Sequence, residues 1–190
     1  MRRLLLLMMI TATASLPAQH PIRITIATSA GPIEAELDSA HAPITVTNFL
    51  RYMDAHLLDG GAFFRAVTLN NQPANTVRIE VIQSRPDTAH RGKEFPPIPL
   101  ERTSTSGLKH HDGTLSMARA GPNTATNQFF ITIGEQPELD FGGKRNPDGQ
   151  GFAAFGRVTK GMDVVHRIQS GAVNAQLLVT PVTIITVSRR

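Results

Sequence analysis

Residues 116–134 read SMARAGPNTATNQFFITIG. The closing FFITI run has the look of a strand, and GPNTATN before it is dense in turn-forming residues. The stretch carries one charge, Arg119, among amides and hydroxyls, and it has no carboxylate, histidine or cysteine. Phe129 and Phe130 are adjacent, and neighbouring residues of a strand point to opposite faces, so one packs inward and the other faces out. Whatever work such a surface does proceeds without an acid, a base or a nucleophile of its own.

Outward from it lie many short strand patterns. IRITIAT (Ile22 to Thr28) and IEAEL (Ile33 to Leu37) alternate, and the turn residues TSAGP between them make a hairpin. Pro43 can open a helix in which Val46, Phe49, Leu50 and Met53 form an apolar stripe, ended by Gly60-Gly61. AFFRAV and TVRIEVIQ read as strands, and residues 84–113, rich in Pro, Ser, Thr and Gly, read mostly as an irregular excursion. TLSMA, FAAFGRV and VTIITVS are further strand candidates. GMDVVHRI is a second helix with Met162, Val165 and Ile168 facing inward. Short strands with two helices argue for an all-β barrel or sandwich, and spacing alone does not decide between them.

The chain has 190 residues and no cysteine, which suits one domain and excludes disulfides, thiolate metal sites and cysteine nucleophiles. Its N-terminus, MRRLLLLMMI followed by TATASLPAQ, has the layout of a secretory signal peptide over residues 1–18, with cuts after Ala14 or Ala18. The apolar run from Leu4 to Ile10 is too short to span a bilayer, so no stable membrane anchor is expected. Removal of residues 1–18 leaves a domain over residues 19–190 with a net charge of only +2. Its arginines are dispersed, with no basic stripe interleaved with aromatics, which argues against nucleic acid as a partner.

Familiar catalytic patterns fail on their context. Ser106 and Lys109 have the Ser-x-x-Lys spacing of some acyl-enzymes, but the companion S-D-N and K-T-G motifs are missing. His110-His111-Asp112 invites a metal reading, yet adjacent strand residues face apart, and a solvated loop is the favoured reading. Glu34 and Glu36 share a strand face and are expected to meet water. GGKRNPDGQG at 142–151 lacks the lysine placement of a phosphate-binding loop.

FFRAV, IEVIQ, GTLSMARAGPNTATNQFFITIG, ELDF, FAAFGRV and GMDVV occur in the order and approximate spacing of the cyclophilins. The chain resembles that family of peptidyl-prolyl cis–trans isomerases from about residue 22 to its end, and its loop insertions resemble those of exported bacterial members. The resemblance implies a closed eight-stranded antiparallel β-barrel capped by two α-helices. It also implies an isomerase that needs no cofactor or metal and acts, as a monomer, on proline-containing unfolded or partly folded polypeptides. With the signal pattern, it places the protein in the periplasm or outside the cell.

An X-Pro bond isomerises without any bond being broken, against a barrier of ~18–20 kcal/mol set by amide resonance. In the twisted state the prolyl nitrogen becomes pyramidal and basic, so a donor aimed at it stabilises the transition state selectively. Arg65 occupies the family position for that donor. By the same resemblance Phe130 floors the proline pocket, Phe63, Val81 and Leu139 wall it, and Phe152 covers one rim. Gln83 and Gln128 match glutamines that bond the substrate backbone and hold Arg65, and Ala118 and Arg119 match a segment that pairs with the peptide like an added strand.

Five positions depart from the pattern. Gln83 is followed by Ser84-Arg85 where Gly-Gly is usual, so the Gln83 loop is expected to shift if those glycines have conformations awkward for a Cβ. Arg119 replaces asparagine and adds charge beside the groove. Glu138 stands for a common tryptophan and Phe152 for a histidine. The Ser84-Arg85 pair gives weight to a rival reading, a cyclophilin-like chaperone or peptide-binding module with little turnover.

Overall fold

The computed structural model describes residues 21–190, and the expected signal peptide lies outside the described residues. IRITIAT and GPIEAEL form β1 (Ile22–Thr28) and β2 (Gly31–Leu37), an antiparallel hairpin registered from Ile22 opposite Leu37 to Thr28 opposite Gly31. Alternation sends Ile24, Ile26, Ile33, Ala35 and Leu37 into the core. The outward Glu34 and Glu36 are not left to water alone. Glu34 pairs with Lys160 and Arg190, and Glu36 with Arg23 and Arg157.

The remaining strands are β3 (Ala62–Val67), β4 (Val81–Arg85), β5 (Thr114–Met117), β6 (Phe129–Thr132), β7 (Ala153–Lys160), β8 (Val173–Asn174) and β9 (Leu177–Arg189). Their order is β1-β2-β7-β5-β6-β4-β3-β9, and β9 pairs back onto β1 from Ile24 opposite Arg189. That last pairing closes eight antiparallel strands into a barrel, and β8 is a two-residue hairpin partner of β9 outside the ring. Closure leaves no long open edge for another chain to extend.

Helix α1 (Pro43–Asp54) buries Val46, Phe49, Tyr52 and Met53 against one end of the barrel. Ala42, before it, has no side chain with which to cap, and the Glu101 carboxylate substitutes from the excursion. It accepts from the Ile44 N–H (3.0 Å) and Thr45 N–H (2.7 Å), where the helix dipole favours negative charge. A second, one-turn helix, α2 (Thr103–Ser106), interrupts the excursion and ends at Gly107 in the left-handed region, φ 74°. The resemblance implied two helices, and the described residues form three. The extra one is too short and too rich in Ser and Thr to show helical periodicity. Helix α3 (Met162–Gln169) buries Val164, Val165 and Ile168, while Met162 is only half-buried.

Phe49 sits at the centre of the main core, edge-on to Phe129 at 5.4 Å and tilted against Phe155 at 5.2 Å. A separate, smaller apolar cluster lies outside the barrel wall: Val67, Ile79, Val81, Phe130 and Leu139, with Ala118 and Phe152 packed on it.

Candidate functional site

Strict alternation along AFFRAV would put Phe63 and Arg65 on one face. The strand does not alternate strictly. Phe63 pairs with Ser84 and Arg65 with Gln83, so Phe64 is an extra residue on β3, a bulge that reverses the side facing each way. Phe63 and Ala66 therefore point inward, both fully buried, while Arg65 emerges on the outer face beside Gln83. This corrects the expectation for Phe63. It is a core residue, edge-on to Phe129 at 5.8 Å, and does not wall the pocket.

The outer face of β3, β4 and β6 forms the floor of a cleft of about 250 Å3, lined by Arg65, Val81, Gln83, Ala118, Arg119, Phe130, Leu139 and Phe152. Ile79, Arg145 and Asn146 complete its lining. The volume lies below the roughly 300–1,000 Å3 of drug-sized sites, and so fits one small ring and its flanking peptide. Phe130 is edge-on to Phe152 at 5.3 Å and rests in parallel on the ring of His110 at 6.1 Å. Phe129 and Phe130 divide as alternation requires, one to the barrel core and one to the cleft.

Arg65 is held from two sides. Its Nη1 donates to Gln83 Oε1 (2.8 Å), and its Nε (2.9 Å) and Nη2 donate to Gln176 Oε1. A guanidinium has five N–H groups, so one hydrogen on each terminal nitrogen remains for a ligand. Gln83 in turn donates from Nε2 to Gln128 Oε1 (3.1 Å), which leaves the Gln128 amide N–H groups free to donate. Gln128 thus touches Arg65 only through Gln83. Burial, and then the charge of Arg145, lower the affinity of Arg65 for its proton below the ordinary arginine value.

Arg119 is neither free nor facing solvent. Its side chain is 1 % exposed and clamps Asp148 with two bonds, Nη1 to Oδ2 at 2.7 Å and Nη2 to Oδ1 at 2.9 Å. Its Nε donates to the Gly151 carbonyl (2.7 Å), and the guanidinium lies 5.1 Å from the Phe152 ring centre. The Arg119 bonds hold the Asp148 carboxyl down to about 2. Arg119 thereby fastens the loop after Leu139 that carries Arg145 and leads to Phe152. Gly151, at φ 66°, is required there, because a Cβ would stand 2.5 Å from the Asp140 carbonyl carbon. Beside it, β5 ends at Met117, and the Ala118 N–H makes one further bond across to the Gln128 carbonyl (2.9 Å) where the chain meets the cleft.

Below Phe130 lies a buried polar chain. His110 Nδ1 meets Asp140 Oδ1 at 2.8 Å, and His110 Nε2 meets Ser116 Oγ at 2.9 Å. The expected solvated loop holds for His111, which pairs with Glu135 near the surface, but His110 is a core residue with a fully covered side chain. Burial lowers the His110 pKa against the opposing pull of Asp140. Burial would raise Asp140, but the His110 bond and nearby charge hold it low. A carboxylate can only accept, so Nδ1 carries the proton and Nε2 accepts from the Ser116 hydroxyl. The order Ser–His–Asp is that of a hydrolase triad, yet Ser116 is 0 % exposed and no substrate can reach it.

A sequence profile of the family described as cyclophilin type peptidyl-prolyl cis-trans isomerase/CLD matches residues 23–189. The chain belongs to this family. Its sequence is 36 % identical over 147 residues to peptidyl-prolyl cis-trans isomerase cyp18 of Streptomyces antibioticus, covering 77 % of this chain and 82 % of that one. It is 32 % identical over 150 residues to peptidyl-prolyl cis-trans isomerase B of Escherichia coli K12, covering 78 % and 85 % respectively. A crystal structure of a Cryptosporidium parvum cyclophilin superposes with a TM-score of 0.72 over 90 % of this chain and 98 % of its own, at 21 % identity. That likeness concerns the fold.

Within this cyclophilin, sequence reasoning missed the cleft residues Ile79, Arg145 and Asn146 and the Arg65 partner Gln176. Ile79 shares the face of Val81 by simple alternation in TVRIEVIQ and could have been found that way. Arg145 lies in the 142–151 loop, whose path over the cleft has no local signal. Gln176 reaches Arg65 from the β8–β9 turn, 111 residues away in sequence.

Proposed function

We propose that this chain accelerates cis–trans rotation of X-Pro bonds in unfolded or partly folded proteins, with Arg65 as the donor to the prolyl nitrogen. The observation that carries the reading is an always-charged donor with two uncommitted N–H groups at the edge of an apolar floor made by Phe130, Val81, Ile79 and Leu139. The proline ring lodges on Phe130, while the Gln128 amide and the backbone at Ala118 hold the flanking peptide. As the preceding carbonyl turns out of the amide plane, the nitrogen lone pair localises and accepts from Arg65. Gln83 and Gln176 keep the guanidinium from following the substrate, so the donor is already in place when the bond twists. No proton is transferred and no bond is cut.

The test is a protease-coupled assay on short X-Pro peptides. The protein raises the cis-to-trans rate, and Arg65→Ala lowers kcat/KM by about 10² or more, which is ~2.7 kcal/mol of transition-state stabilisation. No acceleration by the wild type would leave a peptide-binding module instead.

The N-terminal pattern of two arginines, a short apolar run and small residues supports export to the periplasm or beyond. N-terminal sequencing of the protein recovered from a bacterial host should begin after Ala14 or Ala18; an intact Met1 in the cytosol would refute export.

A further inference from the structure

Three guanidinium groups, from Arg65, Arg119 and Arg145, line one small cleft. Asp148 neutralises Arg119. The hydrogen-bond partners of the other two among the described residues are neutral: Gln83 and Gln176 for Arg65, and Gln72 Oε1 (2.9 Å) and the Val77 carbonyl (2.8 Å) for Arg145. Two half-buried cations facing one space repel each other and are poorly hydrated. Such an arrangement is costly until an anion enters.

Arg145 is also held still. Its Nη1 spends both hydrogens on Gln72 and Val77, and Gln72 is itself 1 % exposed and bonded to the Thr68 and Ile79 carbonyls. The backbone N–H of Arg145 donates to the Glu138 carbonyl, and the Arg119–Asp148 clamp pins the same loop. Three N–H groups of Arg145, two on Nη2 and one on Nε, remain to be used, beside two on Arg65. A planar fork with free donors matches a carboxylate better than a single amide carbonyl, which has one oxygen and no net charge.

We propose that Arg145 and Arg65 form an anion seat, so that this cleft selects proline-containing chains with a carboxylate beside the proline. The carboxylate is either an aspartate or glutamate flanking the proline, or the terminal carboxylate of a chain that ends in proline. The inference rests on the cleft being the peptide site; it assigns Arg145 the choice of substrate and leaves the twisting of the amide to Arg65.

Titration calorimetry on the protein at low salt separates the sources. Peptide pairs place Glu or Gln before proline, Glu or Gln after it, or end in proline as a free acid or an amide. In at least one arm the acid binds about tenfold more tightly than its neutral counterpart, a ratio worth one decade in Kd, and the preference shrinks in 0.5 M salt. Arg145→Gln brings the ratio to within about twofold, whereas Arg145→Lys, which keeps the charge but loses the planar fork, retains only part of it. A role in merely fastening the 72–77 loop would not be rescued by a lysine, which lacks the planar fork. Equal binding of acid and neutral peptides in all three arms overturns the proposal, as does a preference that survives Arg145→Gln. Turnover measured on the same peptides is a separate readout. Acid preference without acceleration keeps the seat and removes the isomerase, and acceleration without preference does the reverse.

Discussion

The Ser84 hydroxyl donates to the Phe129 carbonyl (2.9 Å) and accepts from the Phe129 N–H (3.0 Å) in a buried position. From the sequence, a shifted Gln83 loop is expected only if the glycine pair that serine and arginine replace has conformations awkward for a Cβ. Neither residue has a positive φ, both belong to β4, and the hydroxyl completes the ladder to β6. Arg85 has its own partner, the Phe64 ring at 5.5 Å. Ser84→Gly therefore strips two buried backbone groups of their partner and adds chain entropy. Denaturant unfolding should show a loss of about 1–3 kcal/mol, with no gain in kcat/KM; an unchanged midpoint or a faster enzyme would mean that the hydroxyl is not needed. Arg119 teaches the same lesson in reverse. A charge in a loop reads from sequence as a solvated side chain or a substrate contact, and only the fold brings Asp148 and Gly151 to it.

At the scale of elements, alternation located most strands, because the barrel buries one face of each and period 2 is the direct mark of that. It failed at the bulge of β3, where one inserted residue sends Phe63 into the core and Arg65 to the cleft. A bulge has no signature of its own in AFFRAV. The segment from Lys109 to Asp112 shows the other limit. Two adjacent histidines look alike in sequence, yet one joins β5 to the Asp140 turn beneath the cleft floor and the other meets solvent. This buried His110 link has a pH consequence. Its folded pKa lies below the ordinary 6.5, so the unfolded chain takes up a proton that the folded chain refuses. Its contribution to stability is complete above the unfolded value and falls as pH drops below it toward the folded one, with a slope of at most about 1.4 kcal/mol per pH unit. Urea titrations at pH 7 and pH 5 should show His110→Asn less stable overall but with a shallower loss between the two. An equal loss in both proteins would show that His110 does not set the slope.

For the whole molecule, closure of the barrel was beyond strand spacing. It depends on β9 returning to β1 across the full length of the chain, a contact that no local pattern encodes. The motif resemblance supplied it, and the β1–β9 register bears it out. The cleft was legible in part for the same reason. Phe130, Val81, Leu139 and Arg65 sit within short, distinctive motifs, whereas Gln176 and Arg145 arrive on distant segments with ordinary sequences. The barrel wall presents one braced guanidinium, Arg65, to an apolar seat.

The most direct measurement of that claim is exchange NMR on an X-Pro peptide with catalytic amounts of protein, paired with the peptide's Kd. The wild type should raise the cis–trans exchange rate in both directions. Arg65→Ala should bind the peptide with an affinity within a few-fold of wild type and leave exchange near the uncatalysed rate. Exchange by Arg65→Ala as fast as wild type, or wild-type binding without faster exchange, would contradict the account.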